Sequence, residues 1–279
     1  MQQENQFSLL RERRFGPFFW TQFLGAFNDN VYKNALVIML AFQVTSLGTQ
    51  DANALINLSA AIFILPFFLF SATSGQIADK YEKSRLIRYT VLLELGLMIL
   101  GSAGFYLGSL SLLMFTLFLA GVQSALFGPV KYAYLPQHLK PEELVGGNGL
   151  VEMGTFVAIL LGTVLGGILI GVTSWGKALV SISTVTTALL AYGVSRRIPV
   201  TPAPDPELTI CWNPVTATRD TLRFARHNRT VLLSILGISW FWFYGATFLS
   251  QFPNFAKEVL GGDESVITLL LALFSIGIG

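Results

Sequence analysis

Asp29 and Lys33 stand inside the first long apolar segment of the chain, in the run Phe27-Asn28-Asp29-Asn30-Val31-Tyr32-Lys33-Asn34. A charged side chain at the depth of a bilayer costs about 2.5 kcal/mol or more, so such residues face a bundle interior or a watery path. Four residues apart with the acid first, the two share one helix face and suit an i,i+4 pair. Two readings follow from that placement. The pair presents an anion and a cation to a zwitterionic ligand, with Asn28, Asn30 and Asn34 widening the polar surface and Tyr32 adding an amphipathic contact, or it is a mutual salt bridge that makes both charges tolerable. Among the charges of the later apolar segments, three are further candidates. Glu94 reads as the buried partner of a base. Lys131 follows Gly128-Pro129 and either snorkels to a membrane surface or binds a phosphate. Glu152 lies one turn after Asn148, a good N-cap, where the helix dipole stabilises an acid.

The elements that must position these residues follow from composition. With 53% hydrophobic and 12% charged residues, against about 25% charged in soluble domains, the chain reads as an all-α polytopic membrane protein. The single Cys211 excludes an intramolecular disulfide framework and a Cys-rich metal site, and His138 and His227 have no ligand spacing. No cofactor, metal or nucleic acid is expected. A spanning helix needs about 20 mostly apolar residues. Seven such segments are predicted at approximately 15–46, 54–77, 86–107, 110–132, 148–171, 175–195 and 230–256, with an eighth opening near 265. The first is too long for a signal peptide and lacks a cleavage site. The last stops within the apolar run 271–279, so a truncated chain is expected.

Basic residues give the orientation. Arg11, Arg13 and Arg14 precede the first segment, while the loop 46–53 after it has no Lys or Arg, which puts the N-terminus in the cytoplasm. Lys80, Lys83, Arg85, Arg88 and Lys140 then alternate consistently to the inside, and only Lys177 and Lys257 fall outside. Residues 196–229 form a long basic polar stretch with a Pro-rich start. The predicted organisation is a six-helix bundle over 1–195, a cytoplasmic basic inter-bundle loop over 196–229 and the beginning of a second bundle over 230–279. Residues 214–228 read as a solvated connector or as an amphipathic helix on the inner leaflet. The cluster Trp240-Phe-Trp242-Phe-Tyr244 reads chiefly as lipid-facing or packing surface, with acyl-chain contact as the alternative.

Between the second and third segments, Gly75-Gln-Ile-Ala-Asp79-Lys80-Tyr-Glu-Lys83-Ser-Arg85 resembles the loop signature of the major facilitator superfamily, with Glu82 in place of its second glycine. Gly75 permits close approach of a helix, Asp79 can pair with a base or a helix N-terminus, and Lys80 and Arg85 hold the cytoplasmic face, so these four are assigned to a conformational gate. The antiporter signature of that superfamily is half present in the fifth segment, where Thr163 replaces proline and Gly162, Gly166, Gly167 and Gly171 read as packing surface.

Three stretches together, Phe23-Leu-Gly-Ala-Phe-Asn-Asp29-Asn, Phe127-Gly-Pro-Val-Lys131-Tyr-Ala-Tyr-Leu-Pro and Gly147-Asn-Gly-Leu-Val-Glu152, resemble the bacterial lysophospholipid transporter family. The wording is nearest to the transporter domain of the form fused to an acyltransferase/acyl-ACP synthetase. The resemblance implies that lysophosphatidylethanolamine-type lipids move from the outer to the inner leaflet of the bacterial inner membrane for reacylation, with an acyltransferase/acyl-ACP synthetase as fused or separate partner. It implies substrate contacts at Asp29, Lys131 and Glu152. An arginine expected within 246–253 is absent, and Lys33 is read as the cation in its stead. The alternative is a carrier for a small soluble solute or drug, ion-coupled through Asp29. Acyltransferase chemistry is not expected in this chain: glycerolipid acyltransferases use His-x-x-x-x-Asp, and His138 meets Glu143 and His227 meets Leu232 at that spacing.

Overall fold

The structure, a computed structural model, describes residues 6–43, 52–172, 174–255, 259–261, 273 and 277. The eighth segment near 265, Lys257 and residues 46–51 lie outside the described residues. The helices are α1 (Gly16–Gln43), α2 (Ala52–Lys80), α3 (Lys83–Leu107), α4 (Leu110–His138), α5 (Leu144–Gly171), α6 (Gly176–Ser195), α7 (Pro214–His227) and α8 (Arg229–Asn254), with short 3-10 turns at Gln6–Arg11 and Pro141–Glu143. Among the described residues, five stretches can cross a membrane by length and composition: Ala54–Lys80, Lys83–Leu107, Leu110–His138, Pro141–Gly171 and Gly176–Ser195. The polar run of α1 keeps that helix out of this group, although its 28 residues span about 42 Å at 1.5 Å per residue.

The chain forms two compact bodies, one ending at Trp212 and one starting at Asn213. In the first, α1 packs on α5 and α6, α2 on α4, and α3 on α4 and α6. Local signals define the helix ends. Glu82 caps α3 by accepting from the Ser84 and Arg85 amides, and Gly108, at φ 62°, ends it in the left-handed region that glycine adopts without strain. The Ser109 hydroxyl accepts from the Leu112 amide and starts α4. That helix runs through Pro129 and Pro136 to His138, six residues past the boundary at 132 that hydropathy suggests.

The α1–α5 contact is made at the level of the backbone. A Cβ at Gly162 would lie 2.4 Å from the Phe27 carbonyl oxygen, and one at Gly166 would lie 2.5 Å from that of Val31. Small residues of this kind let membrane helices approach closely where apolar burial gives no net drive to associate. The interior has two apolar clusters. One holds Phe15, just before α1, and Phe18 and Phe19 of α1 with Ile87, Tyr134 and Leu150; the other holds Tyr32, Leu36 and Leu40 of α1 with Met98, Leu113 and Val180. On α1 the stretch Asn28–Asn30 falls between them.

Residues 198–212 belong to the first body and lie along the ends of α2 and α3. The Lys83 amide donates to the Thr201 carbonyl (3.1 Å) and the Asp205 amide to the Asp79 carbonyl (3.1 Å). Lys80 Nζ donates to the Leu208 carbonyl (2.8 Å), and the Cys211 amide to Gln76 Oε1 (2.7 Å). In the second body, Asn213 caps α7 through the Val215 and Thr216 amides, Pro214 opens the helix, and Arg226 and His227 sit in its last turn. The 214–227 stretch is therefore a helix. Trp240, Phe241, Trp242, Phe243 and Tyr244 of α8 are all exposed.

Candidate functional site

Asn28 and Asp29 leave α1 in adjacent directions and reach different helices. Asn28, fully buried, donates from Nδ2 to Glu94 Oε1 on α3 (2.8 Å). Asp29 Oδ2 accepts from the Ser124 hydroxyl on α4 (2.7 Å). Its neighbour Gln123 donates to the Thr90 carbonyl on α3 (3.1 Å), one turn from Glu94, and so closes a ring of hydrogen bonds through α1, α3 and α4. Two oxygens in this ring are buried without a hydrogen-bond partner, Asn28 Oδ1 and Asp29 Oδ1. Glu94 is thus the partner of an amide on α1 and not of a base, contrary to the expectation for it.

Lys33 and Asp29 do not form an ion pair. Among the described residues the ion pairs are Arg14 with Glu12 and Glu143, Lys131 with Glu152, and Arg219 with Asp220. The Lys33 ammonium instead sits 5.2 Å from the centroid of the Phe63 ring on α2, a contact worth about 0.5–2 kcal/mol depending on desolvation. The remaining polar residues of the run split in role. Asn30 donates back to the Ala26 carbonyl (2.8 Å), and Asn34 to the Asn30 carbonyl (3.0 Å) and Thr163 Oγ1 on α5 (2.9 Å). Thr163, which stands where the antiporter signature has proline, is therefore a polar tie between α1 and α5. Tyr32 is buried with its hydroxyl on the Leu113 carbonyl (3.0 Å), so it belongs to the core and presents no surface for a ligand.

A second polar cluster gathers Lys131 and Glu152. The Lys131 ammonium lies 3.7 Å from Glu152 Oε1 and 3.1 Å from Thr155 Oγ1, and the Tyr132 hydroxyl donates to Glu152 Oε1 (2.5 Å). Thr155 in turn donates to Gln22 Oε1 on α1 (3.0 Å). Lys131 is buried and paired, and does not reach out to a surface. Glu152 is not near a helix start: α5 begins at Leu144 and Asn148 lies inside it, bonded to the Leu144 carbonyl (2.7 Å), so capping does not account for this acid. Gln22 and Asp29 on α1, and Ser124 and Lys131 on α4, are each seven residues apart, so the two clusters form levels separated by about 10 Å along the helices. The structure does not merge the predicted residues into one shell. Gln22, Gln123, Ser124 and Thr155 were not singled out from sequence; uncharged polar residues inside apolar spans were the available signal.

The loop between α2 and α3 departs from its expected geometry. The space where a Cβ of Gly75 would project holds nothing within 4 Å among the described residues, so no described helix closes on it. The Asp79 and Arg85 side chains are exposed, while Lys80 holds the 198–212 strap. Glu82, the residue that breaks the loop signature, does most here: Oε1 accepts from the Ser84 and Thr201 amides (2.8 Å each) and Oε2 from the Arg85 amide (2.9 Å). Burial pushes its pKa up, but the hydrogen bonds from Ser84, Thr201 and Arg85 outweigh that and hold it below the ordinary carboxylate value. A group shifted down in this way stabilises fully above its unfolded pKa, and the contribution disappears as pH falls through the folded value. Glu82→Ala should remove both the cap and the strap contact at a cost of about 1 kcal/mol or slightly more, read as faster amide exchange over 198–212; acid should do the same to the unaltered chain and leave the variant unchanged.

Comparison with known proteins follows the same lines. Residues 18–279 match the Major Facilitator Superfamily. The lysophospholipid transporter LplT of Shigella boydii serotype 4 is 33% identical over 265 residues, covering 92% of this chain and 62% of the relative. Its counterpart in Escherichia coli O7:K1 is 32% identical over the same shares of both chains. The chain therefore spans about 62% of the length of these relatives. No solved structure matches it.

Proposed function

The chain belongs to the major facilitator superfamily, and on that premise we propose that it carries lysophospholipids of the lysophosphatidylethanolamine type across a bacterial inner membrane, from the outer to the inner leaflet. The observation that carries this reading is that Asp29 and Lys33 share a helix face without neutralising each other: Lys33 rests on Phe63 and Asp29 keeps an oxygen unbonded. A zwitterionic head group has the complementary charges, an ammonium for Asp29 and a phosphate for Lys33. Relatives named as lysophospholipid transporters support the same substrate class.

In this reading Asn28, Asn30 and Asn34 shape the polar wall, and Lys131 with Glu152 forms a second station about 10 Å along the path, at 1.5 Å of rise per residue. Gly75, Asp79, Lys80 and Arg85 form the conformational gate. The N-terminus is cytoplasmic, residues 1–195 and 230–279 belong to the two bundles of a rocking carrier joined by the basic stretch 196–229, and an acyltransferase/acyl-ACP synthetase, fused or separate, consumes the lipid. The competing reading is a carrier of a small soluble solute driven through Asp29. Vesicles reconstituted with the protein and loaded from outside with labelled lysophosphatidylethanolamine decide between them. Inward movement of the lipid is expected, and Lys33→Met should slow it about tenfold or more through loss of a charge-assisted contact to phosphate. Solute flux that responds to Asp29 without any lipid movement would overturn the reading.

A further inference from the structure

We propose that Asn28, Asp29 and Glu94 bind one monovalent metal cation, sodium, at the junction of α1, α3 and α4. Charge and oxygen inventory carry the inference. The junction holds two carboxylates, Asp29 and Glu94, and one ammonium, Lys33, which is about 5–6 Å from Asp29 between Cβ atoms in an i,i+4 relation. Fully ionised, the group has one negative charge without compensation inside an apolar bundle, where uncompensated charge is expensive. Glu94 is 2% exposed and Asn28 is fully buried.

The surrounding atoms are hard oxygens: the Asp29 and Glu94 carboxylates, the Asn28 amide oxygen, Ser124 Oγ and Gln123 Oε1. Oxygen-only sets suit alkali and alkaline-earth ions and not zinc or copper. The independent pointer is the pair of buried acceptors with no donor, Asn28 Oδ1 and Asp29 Oδ1. A proton on Glu94 would remove the charge but could satisfy at most one further oxygen within about 3 Å, whereas Asn28 Oδ1 and Asp29 Oδ1 both lack a donor. Side chains at i and i+1 diverge on a helix, and an ion coordinated by both tolerates the wider separation.

The site shares Asp29 with the transport reading and rests on that reading only there, since it does not depend on the lipid. A head-group ammonium on Asp29 supplies the same positive charge, so lipid and sodium exclude each other and exchange at this junction. The test uses the purified full-length protein in detergent without lysolipid, with radioactive sodium binding measured against choline chloride at constant ionic strength. Saturable sodium binding is expected. Glu94→Gln should weaken it about tenfold or more, and Lys33→Met, which removes a neighbouring positive charge, should tighten it by a similar factor. Absence of sodium binding, or weaker binding in both variants, overturns the site, as does titration of a proton in place of the ion. Sodium binding with this variant pattern but no lipid movement in vesicles supports the site and sinks the lipid reading alone. Lipid movement indifferent to sodium, with no sodium bound, does the reverse.

Discussion

Asp29→Ala is expected to reduce lysophosphatidylethanolamine movement to background while leaving the protein folded in the membrane. Removing Asp29 leaves the ammonium of the bound head group without its counter-charge, at about 3–5 kcal/mol, a loss of roughly two to four orders of magnitude in transport. The damage to the fold is smaller. Asp29 gives the bundle one hydrogen bond, from Ser124, and that hydroxyl already lies 3.4 Å from a second acceptor, Gln123 Oε1. Elution of the variant as a single detergent-solubilised species, together with uptake in reconstituted vesicles, separates the two effects. Normal uptake at normal expression would remove Asp29 from the binding site. Asp29→Asn, which keeps an oxygen for Ser124 but no charge, should behave as the alanine variant does if charge is what matters.

The second large effect is on assembly. Gly166→Leu should abolish recovery of folded protein, and Gly162→Leu should do the same. The added Cβ meets the Val31 or Phe27 carbonyl oxygen at 2.5 or 2.4 Å. Those are backbone atoms, which cannot move as the tip of a side chain can. α1 must therefore separate from α5, at a cost of at least about 1–3 kcal/mol for overpacking, and separation carries the Asn34–Thr163 tie with it. Gly171→Ala on the same helix has nothing within 4 Å of its new Cβ and should shift stability by no more than about 0.5 kcal/mol. Yield of monodisperse protein after detergent extraction of the three variants, with thermal unfolding of Gly171→Ala against the unaltered chain, checks the contrast. Equal behaviour of all three would show that the stripe is not a contact surface.

The polar run of α1 was legible because charge within an apolar segment has few innocent explanations. Its internal arrangement was not. The i,i+4 spacing of Asp29 and Lys33 allows both a mutual pair and a two-charge clamp; the lysine goes to Phe63 of α2, and which ring lies beside it depends on a helix packing that spacing along one helix does not encode. Glu94 and Ser124 become partners of Asn28 and Asp29 for the same reason. Hydropathy found the apolar segments but stopped the fourth at 132; the helix continues through Pro136 to His138. Asn148 looked like a helix start from its residue type alone, whereas the turn at Pro141–Glu143 begins α5 earlier. Glu82 looked like a defect in a motif. Its two roles, capping α3 and holding Thr201, involve a segment more than a hundred residues away.

The placement of Asn28–Asn30 between two separate apolar clusters has a mechanical consequence. Each cluster is a packed block that resists deformation, and the plane between them is joined by directional bonds, which re-form after small tilts more readily than interlocked side chains do. The bundle thus has a seam at mid-height. Flexure there would leave both blocks intact and alter the spacing of Asn28, Asp29 and Glu94, the spacing that an ion held by the three would set.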